Sequence, residues 1–263
     1  MSAPRPGARQ RRLGQNFLRD PNLLEAIVRD SAVGPDDVVL EIGGGGGALS
    51  ERLAAAVAHL HVVELDERLR DELEPLAAEL GNVSLHWGDA MRIDFAELDP
   101  PPGAMVSNLP YSIAAPLLLR TIEELPTLSD WTVMVQLEVA ERLAAGPGSR
   151  TYGVPSALAQ LACDVVIARR VDPAVFVPRP RVESAIVRLV RRGPAPGGQV
   201  RRVVRGAFAH RRKALAGSLE LADPELDRQR VRTALRDAGL AKDARAESLA
   251  PDDFQRLAEM LRR

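Results

Sequence analysis

A chain of 263 residues, 46% hydrophobic and 27% charged, is long enough for one large core and a smaller second domain, and it is neither fibrous nor compositionally disordered. No apolar run is long enough to span a bilayer, the opening with Arg5, Arg9, Arg11 and Arg12 is not expected to be a signal peptide, and a lone Cys163 excludes an internal disulfide or a cysteine-rich metal site, so a cytoplasmic protein is expected. The net charge of −1 hides an uneven distribution: thirteen lysines and arginines lie between Arg169 and Lys213 against only Asp172 and Glu183, a basicity that suits either phosphate neutralisation or a solvated face.

In chain order, residues 1–12 read as a mobile basic arm, followed by the apolar, amide-rich turn Leu13 to Leu18. A helix is expected from Asp20-Pro21 through Val28, then a turn at Gly34 to Asp37. Val38 to Ile42 is an apolar run that stops at five glycines, Gly43 to Gly47, before the helical Ala48 to Leu53. Strand, tight loop and helix in that order fit Gly43-x-Gly45-x-x-Ala48, a spacing that lets a ligand approach bare backbone, although a plain turn uses glycine too. The second strand, Leu60 to Leu65, carries Glu64, 21 residues beyond Gly43, where doubly wound sheets place the acid that accepts hydrogen bonds from a ribose. The third, Val83 to Trp87, is followed by Gly88-Asp89, which brings a second carboxylate to the same edge. Loop and two acids in register point to a nucleoside-bearing cofactor.

A fourth strand, Ala104 to Val106, ends in Asn108-Leu109-Pro110-Tyr111, and a polar amide, a proline and an aromatic at a strand's carboxyl end are where chemistry is expected. Trp131 to Gln136 is the fifth strand, Glu138 to Ala145 and Ser156 to Cys163 are helices, and Val165 to Val171 and Ser184 to Val190 are the last two strands. Between those two lies a proline-stiffened loop, Asp172 to Arg181, with Phe176, Arg179 and Arg181. After a linker at Gly193 to Gly198 only helices are expected, at Val200 to Leu219, Pro224 to Ala238 and Pro251 to Arg263. His59 and His61 have the two-residue spacing of a strand-face metal site, but surface or core histidines fit as well, and no metal is expected.

The blocks Leu13-Gly14-Gln15-Asn16-Phe17-Leu18, Glu41-Ile42-Gly43-Gly44-Gly45, Asn108 to Tyr111, Ala145 to Ser149 with Tyr152-Gly153, Phe176 to Pro180 with Val182 and Ser184, and Arg211-Arg212-Lys213 together resemble the ribosomal RNA adenine dimethyltransferase family, in its bacterial small-subunit branch, over nearly the whole chain. The resemblance implies an α/β, Rossmann-like class I methyltransferase fold: a seven-stranded, mostly parallel sheet with an antiparallel last strand, plus a small C-terminal helical domain. It divides the chain into the arm at 1–12, an S-adenosylmethionine-binding catalytic domain at 13–192 and a helical RNA-binding domain at 193–263. The cofactor positions it implies are Asn16, Leu18, Gly43, Gly45, Glu64, Asp89 and Asn108. It implies that Asn108, with the Leu109 or Pro110 carbonyl, accepts hydrogens from an adenine N6 while Tyr111 and Phe176 sandwich the flipped base, and that Arg179, Arg181, Arg211, Arg212 and Lys213 hold RNA.

The partner implied is 16S rRNA in the 30S subunit or its precursor, dimethylated at two adjacent adenosines in a hairpin near its 3′ end by a monomeric enzyme that does not touch membranes. Gly44 and Gly46 stand where the family commonly has a proline and a bulkier residue, so a looser cofactor loop is expected. Ser112 and Leu137 also depart from a frequent asparagine and lysine. The competing readings are a 23S rRNA adenine methyltransferase of the macrolide-resistance type, a non-catalytic RNA-binding assembly factor, and a small-molecule methyltransferase.

Overall fold

The computed structural model describes residues 17–262; the arm expected at 1–12 and the cofactor position Asn16 lie outside the described residues. In chain order the elements are β1 (Phe17–Leu18), α1 (Pro21–Ser31), β2 (Val38–Ile42), α2 (Ala48–Ala54), β3 (His59–Glu64), α3 (Arg70–Leu80), β4 (Val83–Trp87), β5 (Ala104–Asn108), α4 (Ala114–Glu124), β6 (Asp130–Gln136), α5 (Leu137–Leu143), α6 (Val154–Ala162), β7 (Cys163–Val171), β8 (Phe176–Val177), β9 (Ser184–Arg191), α7 (Gly198–Ala209), α8 (Leu215–Ala222), α9 (Arg228–Asp237) and α10 (Pro251–Arg262).

Seven of the strands form one sheet in the order β4-β3-β2-β5-β6-β9-β7. β2, β3, β4, β5 and β6 pair in parallel, and β9 runs antiparallel to β6 from Asp130↔Val190 to Gln136↔Ser184. This is the expected mostly parallel sheet with its antiparallel last strand. The central strands are near-continuous apolar runs because both faces are covered: Val39, Leu40, Leu60, Val62, Met105 and Val106 are all buried. The registers Ile42↔Val63, Glu64↔Trp87 and Asn108↔Met134 align the carboxyl ends of the parallel strands, so the residues that follow them share one edge. Strand order reverses between β2 and β5, the crevice where such sheets bind ligands.

Helix α1 starts where its sequence says it should, with Pro21 in the first turn and Asp20 accepting a hydrogen bond from the Leu23 N–H at 2.8 Å. Two helices have no counterpart in the sequence reading: α3 contains Pro75 in its second turn, and α4 has Pro116 in its first. Neither does the two-stranded ladder of β1 and β8, with Phe17 opposite Val177 and Leu18 opposite Phe176.

The chain divides into two compact units, one comprising residues up to Ala140 with Val166–Arg191, the other Glu141–Val165 with Arg192 onward. The segment 141–165 thus groups with the C-terminal helices. Within that second unit, Gln160 Nε2 donates to the Leu143 and Ala145 carbonyls at 2.8 and 2.9 Å, the Gly148 N–H donates to the Glu247 carbonyl at 2.6 Å, and the buried Tyr152 ring packs edge-on against Phe208, which in turn meets Phe254. The single helix expected over Val200 to Leu219 is two, α7 and α8. The break is fixed by Ser218, whose hydroxyl accepts from the His210 N–H at 3.1 Å and donates to the Gly206 carbonyl at 2.8 Å. Arg211, Arg212 and Lys213 therefore lie in a turn, not on a helix. Helix α9 likewise begins later than Pro224, at the Asp227 cap, whose side chain accepts from the Arg230 N–H at 2.8 Å.

Candidate active site

The glycine loop after β2 is held by its own backbone. The Gly43 N–H donates to the Val63 carbonyl at 2.8 Å and the Gly45 N–H to Glu64 Oε2 at 3.0 Å, with φ of +85° and +55°, values that side-chain-bearing residues rarely adopt. The loop is closely flanked, and a Cβ on Gly46 would lie 3.0 Å from Glu72 Oε2. A Cβ on Gly44 would lie 2.5 Å from Val62 Cγ1 and one on Gly45 would lie 3.1 Å from the Phe17 ring, so neighbouring side chains already occupy the space a bulkier loop would fill.

Glu64 closes β3 with only 7% of its surface exposed, and its second oxygen accepts from the Asp66 N–H at 2.8 Å. A carboxylate has about four lone-pair sites, so two backbone donors leave it able to accept two more hydrogen bonds. Asp89 follows β4, half exposed, with Oδ1 accepting from the Met91 N–H at 2.9 Å and Oδ2 3.7 Å from Arg92 Nε. Glu41 is a fourth-from-first residue of β2 that is buried to 1% exposure; burial pushes its carboxyl up to about 8, against a hydrogen bond of 2.6 Å donated by Ser50. The sequence reading gave Glu41 no separate role, although an acid inside an apolar strand is itself a signal.

Asn108 ends β5, and the Leu109 N–H donates to the Met134 carbonyl at 3.0 Å, which turns the chain off the sheet edge. The Pro110 carbonyl accepts from the Ile113 N–H at 3.2 Å, and the Tyr111 and Ser184 hydroxyls share a hydrogen bond of 2.5 Å. Burial raises the Tyr111 phenol above its ordinary range, so it stays protonated.

These pieces meet in one cavity of about 610 Å³. Leu18, Gly43, Gly45, Glu64, Asp89, Asn108, Leu109, Pro110 and Tyr111 all line it, and so do Phe17 and Glu41. Phe176 does not. Pairing opposite Leu18 turns its ring into the core, where it is 2% exposed beside Leu24 and Ile27, while the neighbouring Val177 faces out. Arg179 and Arg181 are exposed on the loop beyond it, Arg179 with Asp172 at 3.8 Å. In the second unit Arg211 is engaged, with Nε 3.0 Å from Glu247 and a terminal nitrogen donating to the Arg150 carbonyl at 2.8 Å, whereas Arg212 and Lys213 are exposed. The histidine pair on β3 is occupied by hydrogen bonds. His61 Nε2 must donate to the Pro100 carbonyl at 2.8 Å, so its Nδ1 accepts from His86 Nε2 at 3.0 Å, and His59 bonds to Ser84.

A doubly wound sheet with a glycine loop, an acid closing the neighbouring strand and an Asn-Leu-Pro-Tyr turn around one cavity is the arrangement of a Rossmann-like class I methyltransferase. Residues 8–263 match the family model described as ribosomal RNA adenine dimethylase. The chain is 45% identical over 253 residues to the ribosomal RNA small subunit methyltransferase A of Rubrobacter xylanophilus, covering 95% of this chain and 93% of that one, and 44% identical to the protein of the same description from Thermobifida fusca, covering 94% and 88%. Among solved structures, the 23S rRNA methyltransferase ErmE superposes with a TM-score of 0.69 at 29% identity over 94% of this chain and all of the other, and a dimethyladenosine transferase from Plasmodium falciparum shares the fold with a TM-score of 0.75 at 24% identity over 92% and 95%. The chain belongs to the ribosomal RNA adenine dimethylase family, and it is an enzyme.

Proposed function

We propose that this enzyme transfers methyl groups from S-adenosylmethionine to the N6 atoms of two adjacent adenosines in the hairpin near the 3′ end of 16S rRNA, acting as a cytoplasmic monomer on the 30S subunit or its precursor. The observation that carries the reading is the convergence of Gly43, Glu64, Asp89 and Asn108 to Tyr111 on a single cavity.

The cavity fits such a cofactor. Glu64 retains two acceptor sites for ribose hydroxyls, the half-exposed Asp89 has acceptor capacity for an adenine amine, and the bare backbone of Gly43 and Gly45 leaves room beside Leu18 for the amino-acid end. When bound, S-adenosylmethionine supplies a methyl group already activated on a sulfonium. The residues of the chain then have to present the nucleophile. An adenine N6 lone pair is conjugated into its ring, and acceptors for both N6 hydrogens favour the pyramidal nitrogen that attacks. Asn108 Oδ1 is one acceptor. The Leu109 carbonyl is favoured as the other, because the Pro110 carbonyl already serves the Ile113 N–H. Positioning carries most of the rate, and no strong general base is needed.

Tyr111 on the cavity wall supplies the face on which the flipped base stacks, an interaction worth on the order of 1 to 3 kcal/mol. Phe176 supports the loop from within the core rather than from the cavity. Phosphate contacts are assigned to Arg179 and Arg181 in the first unit and to Arg212 and Lys213 in the second, with Arg211 holding the turn that presents the latter pair. The description shared by the relatives at 45% and 44% identity favours the small subunit over a 23S substrate. The intact Asn108 to Tyr111 turn favours catalysis over RNA binding alone. The test is transfer from labelled S-adenosylmethionine to unmethylated 30S particles, with 50S precursors and naked 16S rRNA alongside. Dimethyladenosine on the 30S substrate alone is expected; label on 23S rRNA, or tight RNA binding with no transfer, overturns the reading.

A further inference from the structure

We propose that Ser184 is a positioning residue for methyl transfer: its hydroxyl fixes where the tip of the Tyr111 ring lies and thereby the wall against which the target base is held. Ser184 is fully buried at the start of β9, and its hydroxyl lies 2.5 Å from that of Tyr111. Its own position is pinned on the β6 side, opposite Gln136 in the antiparallel register, with the neighbouring Glu183 carbonyl accepting from the Leu137 N–H at 3.0 Å. Tyr111 belongs to the turn after β5, on the other side of β6, so the bond reaches across the end of one strand and ties the catalytic turn to the antiparallel strand.

The physical consequence concerns freedom of the ring. A tyrosine on a turn has more than one staggered χ1 well open to it, and each swings the ring tip to a different place along the cavity wall. Tethering the far end of the ring to an immobile hydroxyl removes that choice before substrate arrives. Stacking then acts on a base whose N6 already points between the Asn108 and Leu109 acceptors, and misplacement of about 1 Å at such a site costs on the order of a hundredfold in rate. Burial of Tyr111 keeps its hydroxyl protonated and the bond intact through neutral pH.

The proposal rests on the reading that Tyr111 stacks on the base, and the test separates the two. Ser184→Ala, Tyr111→Phe, the double variant, Ser184→Thr and Tyr111→Ala are compared in single-turnover transfer to unmethylated 30S particles, with S-adenosylmethionine affinity by calorimetry and thermal midpoint measured in parallel. Removal of either hydroxyl is expected to slow transfer about tenfold with cofactor affinity unchanged, the double variant being no slower than either single, because both delete one bond. Ser184→Thr, which keeps a hydroxyl, is expected to recover most of the rate. Additive losses in the double variant, or a loss in Ser184→Ala that Ser184→Thr does not recover at equal thermal midpoint, overturn the positioning role. Full activity in Tyr111→Ala overturns the stacking reading beneath it.

Discussion

Gly45 and Glu64 are joined across two strand ends by a backbone N–H that donates to the carboxylate at 3.0 Å, so the glycine loop and the acid that closes β3 form one unit rather than two neighbours. Substituting Glu64 disturbs both. Glu64→Gln keeps a single acceptor oxygen for the Gly45 and Asp66 N–H groups and puts an NH2 against one of them. Cofactor binding is expected to weaken roughly 10- to 100-fold, the range for a lost charge-assisted hydrogen bond, with RNA affinity unchanged. Calorimetric titration with S-adenosylmethionine beside filter binding of RNA checks this; equal losses in both would count against the assignment.

The buried Glu41 makes stability depend on pH. Its folded-state carboxyl is raised to about 8 from an ordinary 4.5, so the folded protein holds a proton that the unfolded chain releases across that interval. Its contribution is therefore fully present at acidic pH and is lost as pH rises through about 8. Glu41→Gln, which keeps an oxygen for Ser50 and carries no charge, is expected to raise the thermal midpoint at pH 8.5 by roughly 3 to 8 °C and to flatten its decline above pH 5. A parallel decline in the two proteins by calorimetry would refute the assignment.

Gly44 is required by Val62. A methyl at position 44 meets Val62 Cγ1 at 2.5 Å, and Gly44→Ala is expected to destabilise by about 1 to 3 kcal/mol through overpacking. Trimming the neighbour in Gly44→Ala/Val62→Ala is expected to cost less than the sum of the two single changes. Urea denaturation of the four proteins measures the coupling directly.

Phe176→Ala is expected to act first on the fold. A ring that is 2% exposed and packed beside Leu18 leaves a cavity when removed, at a cost of about 3 to 5 kcal/mol. Reduced methylation should accordingly track the unfolded fraction and recover at low temperature. A variant as stable as the parent but inactive would return Phe176 to the base-binding face.

That the residues expected to hold a cofactor share one cavity was legible because each closes or follows an apolar strand. Glycines end the run at Ile42, Glu64 ends the next, and Asp89 and Asn108 follow in register, so spacing along the chain becomes proximity along a sheet edge. The surroundings of the residues expected to hold RNA were less so. Whether Phe176 faces core or solvent depends on its pairing with Leu18, a long-range partner that no local pattern reveals. The arginine-rich run after Val200 keeps helical periodicity through Lys213, and the break comes from Ser218, a side chain that reaches back from the following helix. Helices α3 and α4 each carry a proline: Pro116 lies in a first turn, where it removes no helical hydrogen bond, whereas Pro75 lies in the second turn of α3 and takes one donor out of that helix.

The order of the strands has a consequence for biosynthesis. β9 sits between β6 and β7, although β7 leaves the ribosome first. Until Ser184–Arg191 has been made, β7 has no seat in the sheet, and Tyr111 lacks the hydroxyl that holds it. The sheet is therefore closed by an insertion, not by addition at its edge, and a nascent chain halted before Ser184 leaves β7 unpaired and one edge of β6 open, with β6 still paired to β5.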